Sequence, residues 1–269
     1  MELRPTTDGD LPALYATFVD AVDTVFGPRG FDTPSPSVEG FANLQRHVLA
    51  TGVGYVAEES DEVIGFGSAW SRGDDWFLAC LFVRGRAQGR GVGSMLLDAV
   101  WGDARRRRTV TDAIQPVSNV LYGRRGLVPA TPLLTFEGVP RLSAGAAEAR
   151  ADLAAIDAVA YGFDRTIDHR YWELHARRTE WGDAYSYAFP RGDIGPVAGT
   201  TSAAASRALA AELARSEGAV RVRVPGSARE LVEVALRAEL RLGPVPGLVL
   251  LSPGAEAPTA LAPSGYMLF

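Results

Sequence analysis

The alternation of apolar and polar positions opens with a short extended stretch, Glu2-Leu3-Arg4, and then changes to helical spacing at Leu11, Leu14, Tyr15, Phe18, Val22 and Val25. Thr6-Thr7-Asp8 in front of that run supplies side chains able to cap a helix start. Gly27 to Pro36 is rich in glycine and proline and reads as a loop, after which Val38, Phe41, Leu44, Val48 and Leu49 predict a second helix. Val53 to Ala57 and Val63 to Trp70 are short apolar runs around Glu58-Glu59-Ser60-Asp61-Glu62, the pattern of a hairpin. Trp76 to Val83 is apolar throughout, as a strand buried on both faces would be. A glycine-rich segment follows, then Met95, Leu96, Leu97, Val100 and Trp101 at helical spacing. The basic run Arg105 to Arg108 is expected to end that helix, where cations complement the negative end of its dipole. Thr109 to Ile114 predicts a strand, Ser118 to Arg125 a short helix stopped by Gly126, and Val128 to Phe136 a further strand.

Gly138-Val139-Pro140 breaks the pattern, and the second half begins near Ser143. It predicts helices over Ala144 to Val159 and Asp168 to Arg178, and strands over Ala184 to Phe189 and Ile194 to Val197. A helix over Ser206 to Arg215, a strand over Ala219 to Val224, a helix over Ser227 to Arg241 and strands over Leu248 to Leu251 and Tyr266 to Phe269 complete it. The order of elements repeats that of the first half without residue identity, which suggests a duplicated fold. The expected architecture is α/β, a mixed sheet flanked by helices in each of two domains, residues 1–142 and 143–269.

A chain of 269 residues can hold two cores of ordinary size, and 47% apolar content suits a globular protein. The absence of a long apolar run or a leader at Met1 leads to the expectation of a cytoplasmic protein without a membrane partner. All 27 basic residues are arginine, so lysine nucleophiles and Schiff bases are excluded. The net charge of −5, divided almost evenly between the halves, carries no nucleic-acid signature. Cys80, the one cysteine, sits within an apolar run and reads as a small buried hydrophobe. His47 lies on one helix and His169 and His175 on another, without the spacing of a helical metal site, so no metal is expected.

The chemistry is concentrated in Gln88-Gly89-Arg90-Gly91-Val92-Gly93-Ser94, between strand and helix. A phosphate at a helix N-terminus needs backbone amides directed at it, a favourable dipole and no obstructing side chains. Gly89, Gly91 and Gly93 meet the last condition, and no lysine or metal is required. In this setting the sequence resembles the GNAT superfamily of acyl-coenzyme A-dependent N-acetyltransferases, whose motif Gln/Arg-x-x-Gly-x-Gly/Ala the segment 88–93 matches. Leu121-Tyr122-Gly123-Arg124-Arg125-Gly126-Leu127 resembles the family's Leu-Tyr-x-x-x-Gly-Phe, and the resemblance covers residues 2 to 137. A dinucleotide site is discounted because Ser94 replaces the third glycine and a hairpin meander precedes the loop.

The resemblance implies acetyl-coenzyme A as co-substrate. The backbone of Leu81, Phe82 and Val83 would pair with the pantetheine arm, Gln88 to Ser94 would hold the pyrophosphate, and Ser118 and Asn119 would face the cofactor. Tyr122 would sit near the sulfur, where a phenol can protonate a departing thiolate; its other reading is a helix tyrosine packed on the sheet. The family's asparagine seven residues before that tyrosine is Gln115 here, with Asn119 three before it. Asp112 is the positional candidate for a general base, with Glu58 and Asp74 behind it, and each also reads as a surface carboxylate. Residues 195–207 carry no counterpart of the loop, which implies a degenerate second copy, tandem with the first and covering its acceptor side. Phe163 to Trp172, dense in polar and aromatic residues, reads either as a substrate-contacting surface or as capping and packing residues. The expected activity is acetyl transfer to a small-molecule or peptide amine by a monomer or homodimer. Another acyl donor, an alcohol or thiol acceptor, or an acyl-coenzyme A sensor without turnover stand as alternatives.

Overall fold

The computed structural model describes residues 1–31, 36–143 and 145–269; part of the expected loop at Gly27 to Pro36 and the expected helix start at Ala144 lie outside the described residues. Contacts between residues divide the chain into two units, the first Met1–Thr109 with Ile114–Leu121 and the second Val110–Ala113 with Tyr122–Phe269.

In the first unit β1 (Glu2–Pro5) leads into α1 (Leu11–Phe26) and α2 (Val38–Thr51), and a meander follows of β2 (Gly52–Glu59), β3 (Glu62–Arg72) and β4 (Asp75–Val83). After it come α3 (Val92–Val100), β5 (Arg106–Asp112) and α4 (Pro116–Gly123). The strands lie in the order β1-β2-β3-β4-β5, antiparallel except for β4 beside β5. The β2–β3 turn is tighter than the acidic stretch suggests. Ser60 and Asp61 alone form it, both at positive φ, as a two-residue hairpin requires. The entry to α1 is set by Asp10, whose carboxylate accepts from the Thr7 amide at 2.7 Å and from both ends of the Arg4 guanidinium at 2.8 and 2.9 Å. The Arg4 contact holds the Asp10 carboxyl well below the usual carboxylate range. Phe18, Phe41, Phe66 and Phe82 meet ring to ring, which fixes both helices on the sheet. Trp76 Nε1 donates to the Val100 carbonyl at 2.8 Å and closes the far end of α3.

The run Arg105 to Arg108 corrects the expectation of a helix end, since Arg106, Arg107 and Arg108 lie in β5. The physical reason is Asp75, buried on β4 and reached by Arg106 at 2.7 Å and Arg108 at 2.8 Å. A buried carboxylate is tolerated only when paired, and two strand arginines supply the pairing.

The second unit contains β6 (Val128–Gly138), α5 (Leu153–Ala160), α6 (Thr166–His175), β7 (Arg177–Glu180), β8 (Ala184–Ala188), β9 (Asp193–Gly199) and α7 (Ser202–Ala214). It ends with β10 (Val220–Pro225), α8 (Arg229–Arg237), β11 (Arg241–Leu242), β12 (Gly247–Leu251) and β13 (Leu261–Ala262). Its strands run β12-β6-β10-β9-β8-β7, with β11 also on β6 and β13 also on β9. By contacts β6 belongs to the second unit, where it pairs with β10, β11 and β12. Val197, Ala204, Ala208, Leu209, Val222, Val224, Leu231 and Val234 fill the core between sheet and helices.

Three expected elements differ here. The alanine-rich helix starts only at Leu153, capped by Asp152, which accepts from Ala155 N at 3.1 Å. The preceding backbone is taken by sheet-edge bonds, Ala149 N to Glu180 O at 3.1 Å and Gly182 N to Ala149 O at 2.7 Å, and these win over alanine's helix propensity. The helix expected to reach Arg178 stops at His175, and Arg177–Glu180 becomes edge strand β7 against β8. Tyr266 to Phe269 is not a strand; β13 takes that part at Leu261–Ala262, and the last residues are tied by side chains, Ser264 Oγ to Leu268 O at 2.9 Å and Arg165 to Phe269 O at 2.5 Å. In the polar segment before β7, Arg165 and Asp168 are fully buried and paired at 2.7 Å, and Trp172 is buried too. The packing reading holds for those three side chains, although Asp168 pairs instead of capping.

Candidate active site

The strand that leads to the glycine loop is unpartnered on one side just where the loop approaches. Leu81, Phe82 and Val83 pair with Gly67, Phe66 and Gly65 of β3 on one side. Towards β5 the pairing stops at Leu78↔Thr109, where Thr109 Oγ1 donates to the Leu78 carbonyl at 3.1 Å. Among the described residues no strand pairs with Leu81 to Val83 on that side. Their backbone amides and carbonyls are a short template for an extended, hydrogen-bonding ligand.

The turn out of β4 is braced from behind. Asp20 of α1 accepts from Gly85 N at 2.7 Å, and Gln88 Nε2 donates to the Val83 carbonyl at 3.0 Å. Gln88 therefore holds the strand end with its side chain, and its own N–H is bonded to Gly85 O at 3.2 Å. Gly89 and Gly91 then take φ +75° and +83°, in the left-handed region that favours glycine, and an added Cβ at either would meet nothing within 4 Å. Gly91 is the N-cap of α3 and brings no side chain to it, and Met95 N bonds back to Gly91 O at 3.1 Å. The start of α3 thus presents backbone N–H groups and the positive end of a nine-residue helix to open space. Arg90 is turned aside in a two-armed ion pair with Glu59 at 2.6 and 3.1 Å. Burial of Val92, Leu96 and Leu97 fixes the helix against the sheet.

Helix α4 reaches the same place from the other direction. Leu121 Cδ2 lies 3.6 Å from where a Cβ on Gly93 would stand, and Ser118 and Asn119, both half-buried, are on the preceding turn. Tyr122 follows Leu121 and is 4% exposed, as a packed helix residue or a sheltered acid would be. Leu81 to Val83, Gln88 to Ser94, Ser118 and Asn119 belong to the first unit, whereas Tyr122 and Asp112 belong to the second.

Of the three candidate bases, Glu58 is taken by Arg4 at 2.6 Å and Asp74 by Arg105, which holds the Asp74 carboxyl below its usual range. Asp112 differs. Burial pushes its carboxyl up to about 6, against the opposing pull of a hydrogen bond from the Tyr266 phenol. Tyr266 is a partner that the sequence alone does not reveal, because no local pattern links the end of the chain to β5. Cys80 is buried between Gln45 and Ser68, and burial pushes its thiol up to about 12, so it is no nucleophile. Among the described residues no cluster of His, Cys, Asp and Glu has metal-binding geometry, and no helix is long and apolar enough to cross a membrane.

Comparison with known proteins agrees with this geometry. A family model described as an acetyltransferase (GNAT) domain matches residues 50–126, a span from the end of α2 to just past α4. No curated protein matches the chain. A provisionally assigned acetyltransferase of Pyrococcus horikoshii has a solved structure that superposes with TM-score 0.81 at 18% identity, covering 100% of this chain and 95% of that one. A GCN5-related N-acetyltransferase of Sphaerobacter thermophilus superposes with TM-score 0.61 at 14% identity, covering 95% and 97%. At such identities the likeness is one of fold, a mixed sheet flanked by helices, and it runs the length of the chain. The matched segment contains β4, the glycine loop, α3 and α4, so residues 50–126, which hold the first unit's candidate site, are similar to a GNAT acetyltransferase domain.

Proposed function

We propose that the protein transfers an acetyl group from acetyl-coenzyme A to a small-molecule or peptide amine. In this reading residues 1–142 form the coenzyme-binding catalytic domain and residues 143–269 a degenerate copy of it. The observation that carries the proposal is the coincidence, on one strand, of an unpaired edge at Leu81 to Val83 and an uncapped helix N-terminus behind Gly89 and Gly91. An extended pantetheine arm suits the first and a pyrophosphate the second.

When bound, the thioester supplies an activated acyl carbon, and the protein's tasks are to hold it and to manage two protons. Backbone N–H groups of Gly89 to Ser94 receive the diphosphate, with Gln88 keeping the strand end rigid. Ser118 and Asn119 line the same approach from α4. The amine nitrogen forms the bond to the acyl carbon and gives its proton to Asp112. A carboxylate titrating near 6 is ionised at neutral pH yet a stronger base than an ordinary aspartate. The carbon–sulfur bond breaks, its electron pair leaves with sulfur, and the thiolate takes a proton from the Tyr122 hydroxyl, which solvent restores. All three histidines and Cys80 stand outside this scheme.

The test is thiol release from acetyl-coenzyme A across a panel of amines, for the wild type and Gly91→Glu. Turnover with at least one amine and its loss in Gly91→Glu are expected. Tight coenzyme binding with no turnover on any amine would replace the enzyme with a sensor, and undiminished binding by Gly91→Glu would overturn the site.

A further inference from the structure

Helix α1 meets the end of β4 and the turn after it at successive positions of one face. Thr17, Asp20 and Thr24 are three and four residues apart, so they stand one above another along the helix, with Phe18 beside them. Phe18 meets Phe82 edge to face, with ring centroids 5.0 Å apart. Thr17 Oγ1 accepts from Arg84 Nε at 3.3 Å, and the same nitrogen donates to the Val63 carbonyl at 2.9 Å. Asp20 accepts from Gly85 N at 2.7 Å. An added Cβ at Gly85 would stand 2.5 Å from Thr24 Oγ1 and 3.2 Å from Thr24 Cγ2, so helix and turn touch with no room for a side chain between them. All of these residues belong to the first unit.

From Gly85 the contact is relayed along the backbone. The Gly85 N–H goes to Asp20, and the Gly85 carbonyl accepts from Gln88 N at 3.2 Å. Between them the Arg84 carbonyl accepts from Ala87 N at 2.8 Å, and Ala87 is buried among Ile64, Val92 and Leu96. Gln88 Nε2 then returns to the Val83 carbonyl at 3.0 Å. Of these bonds, the one at Gly85 N alone has its acceptor on another element. Gln88 is thus placed through Gly85, and Gly89 and Gly91, whose positive φ turns the loop, follow it directly. Packing of α1 does not call for an acid at this position, because Leu14, Thr17, Ala21 and Val25 supply its buried face and Asp20 is only half-buried. What Asp20 adds is an acceptor for one backbone amide that would otherwise need water.

We propose that Asp20 is a positioning residue for coenzyme binding: through the Gly85 amide it fixes Gln88, and so aims the backbone N–H groups of Gly89 to Ser94 at the diphosphate. This rests on the acyl-transfer reading above and names a residue outside the loop that shapes its cradle. Asp20 acts through Gly85 and takes no part in proton transfer. An asparagine would serve the same bond, whereas an alanine would leave the turn free to drift from α1, and a small displacement of donors is enough to weaken a preorganised site.

Calorimetric titration of coenzyme A into the wild type, Asp20→Asn and Asp20→Ala tests this. Asp20→Ala should bind about 10-fold more weakly, and Asp20→Asn should stay within about threefold of the wild type. With an amine that turns over, KM for acetyl-coenzyme A should rise in Asp20→Ala while kcat stays within about twofold. A second arm approaches the same contact from the turn. Gly85→Ala drives a methyl group against Thr24 and should weaken coenzyme A to a similar degree, and adding Thr24→Ala, which removes the two nearest atoms, should restore binding to within about threefold. General destabilisation would not be rescued by deleting a side chain on another element, and this arm decides the matter if Asp20→Ala does not fold. Binding by folded Asp20→Ala within about twofold of the wild type would overturn the proposal. Equal losses in Asp20→Asn and Asp20→Ala, or no rescue of Gly85→Ala by Thr24→Ala, would do the same. Failure of the wild type itself to bind coenzyme A strikes instead at the acyl-transfer reading and takes this inference with it, whereas absence of turnover on every amine leaves the calorimetric result standing.

Discussion

At the junction of β4 with α3 the parallel pairing to β5 stops at Leu78↔Thr109, the strand continues to Val83 paired only with β3, and the helix begins at a glycine with no capping side chain. At the junction of β9 with α7 the parallel pairing to β10 stops equally early, at Val222↔Ile194, but the chain then supplies its own filler. Leu261 and Ala262 of β13 pair with Ala198 and Val197, and Gly199 N donates to Ala260 O at 3.1 Å. The helix behind is capped by Thr201, whose hydroxyl accepts from Ala204 N at 3.0 Å. A Cβ at Gly199 would stand 2.5 Å from Ala205 N, whereas Gly89 and Gly91 face open space. The two junctions thus differ in whether the chain satisfies its own backbone there: β13 and Thr201 do so at the second, and neither a strand nor a capping side chain does so at the first. The second half's loop between β9 and α7 has no such glycine motif, and the filled strand and the capped helix are the physical counterpart of that difference.

The strongest way to break this comparison is to count coenzymes. One acetyl-coenzyme A per chain is expected by isothermal titration, and Gly91→Glu should weaken it by about 100-fold or more, since it adds a side chain at positive φ and a negative charge among donors meant for phosphate. Two sites per chain would mean that β13 and Thr201 do not close the second junction. Tyr122→Phe sharpens the first junction in a different way. It should lower kcat by roughly 10- to 100-fold with the coenzyme KM within about twofold, because the lost hydroxyl acts on the leaving sulfur and not on binding. A proportionate rise in KM instead would return Tyr122 to the role of a packing residue.

How far the sequence shows these features depends on how local they are. The loop at 88–94, the helix after it and the apolar strand before it are written within a dozen neighbouring positions, and glycines at positive φ cannot be hidden by other residues. The Arg105–Arg108 run misleads because its partner, Asp75, lies on another strand, and a basic run beside a helix suits either a helix end or a strand. The alanine-rich stretch before Leu153 misleads for a similar reason, since an unpaired edge at Glu180 and Trp181 claims its backbone. The pairing of Asp20 with Gly85 has no local signature at all. An aspartate on α1 and a glycine after β4 become related only when the helix is laid on the sheet.

By contacts Asp112 is grouped with the second unit, and the pH dependence of its carboxyl is a smaller test of the contrast between the two. Asp112 has an ordinary value of 3.8 and is raised to about 6 by burial, so between those values the folded state holds a proton that the unfolded state has lost. Stability therefore falls as pH rises through this window, and above about pH 6 the ionised group costs the fold its full penalty. Asp112→Asn should be more stable than the wild type at pH 8 by about 1–2 kcal/mol and no more stable at pH 4. A thermal melt that shows the same difference at both pH values would remove burial of the charge as its cause. A stabilising variant that loses activity is what a functional carboxylate held at a cost predicts.

Thr201→Ala carries the smallest expected effect and bears most directly on why the second junction is closed. Removing an N-cap hydroxyl costs about 1 kcal/mol, because the Ala204 amide it served must find water. For a unit of this size that is a fall of roughly 2–4 °C in Tm, and it should be independent of acetyl-coenzyme A concentration. β13 still occupies the edge of β9 in this variant, so uncapping the helix alone should create no second binding site. If Thr201→Ala gained a second coenzyme, the cap and not the inserted strand would be what distinguishes the halves. If it lost stability with unchanged stoichiometry, the inserted strand is the decisive difference, because a pyrophosphate at a helix N-terminus is of little use to a coenzyme whose extended arm finds its strand already taken.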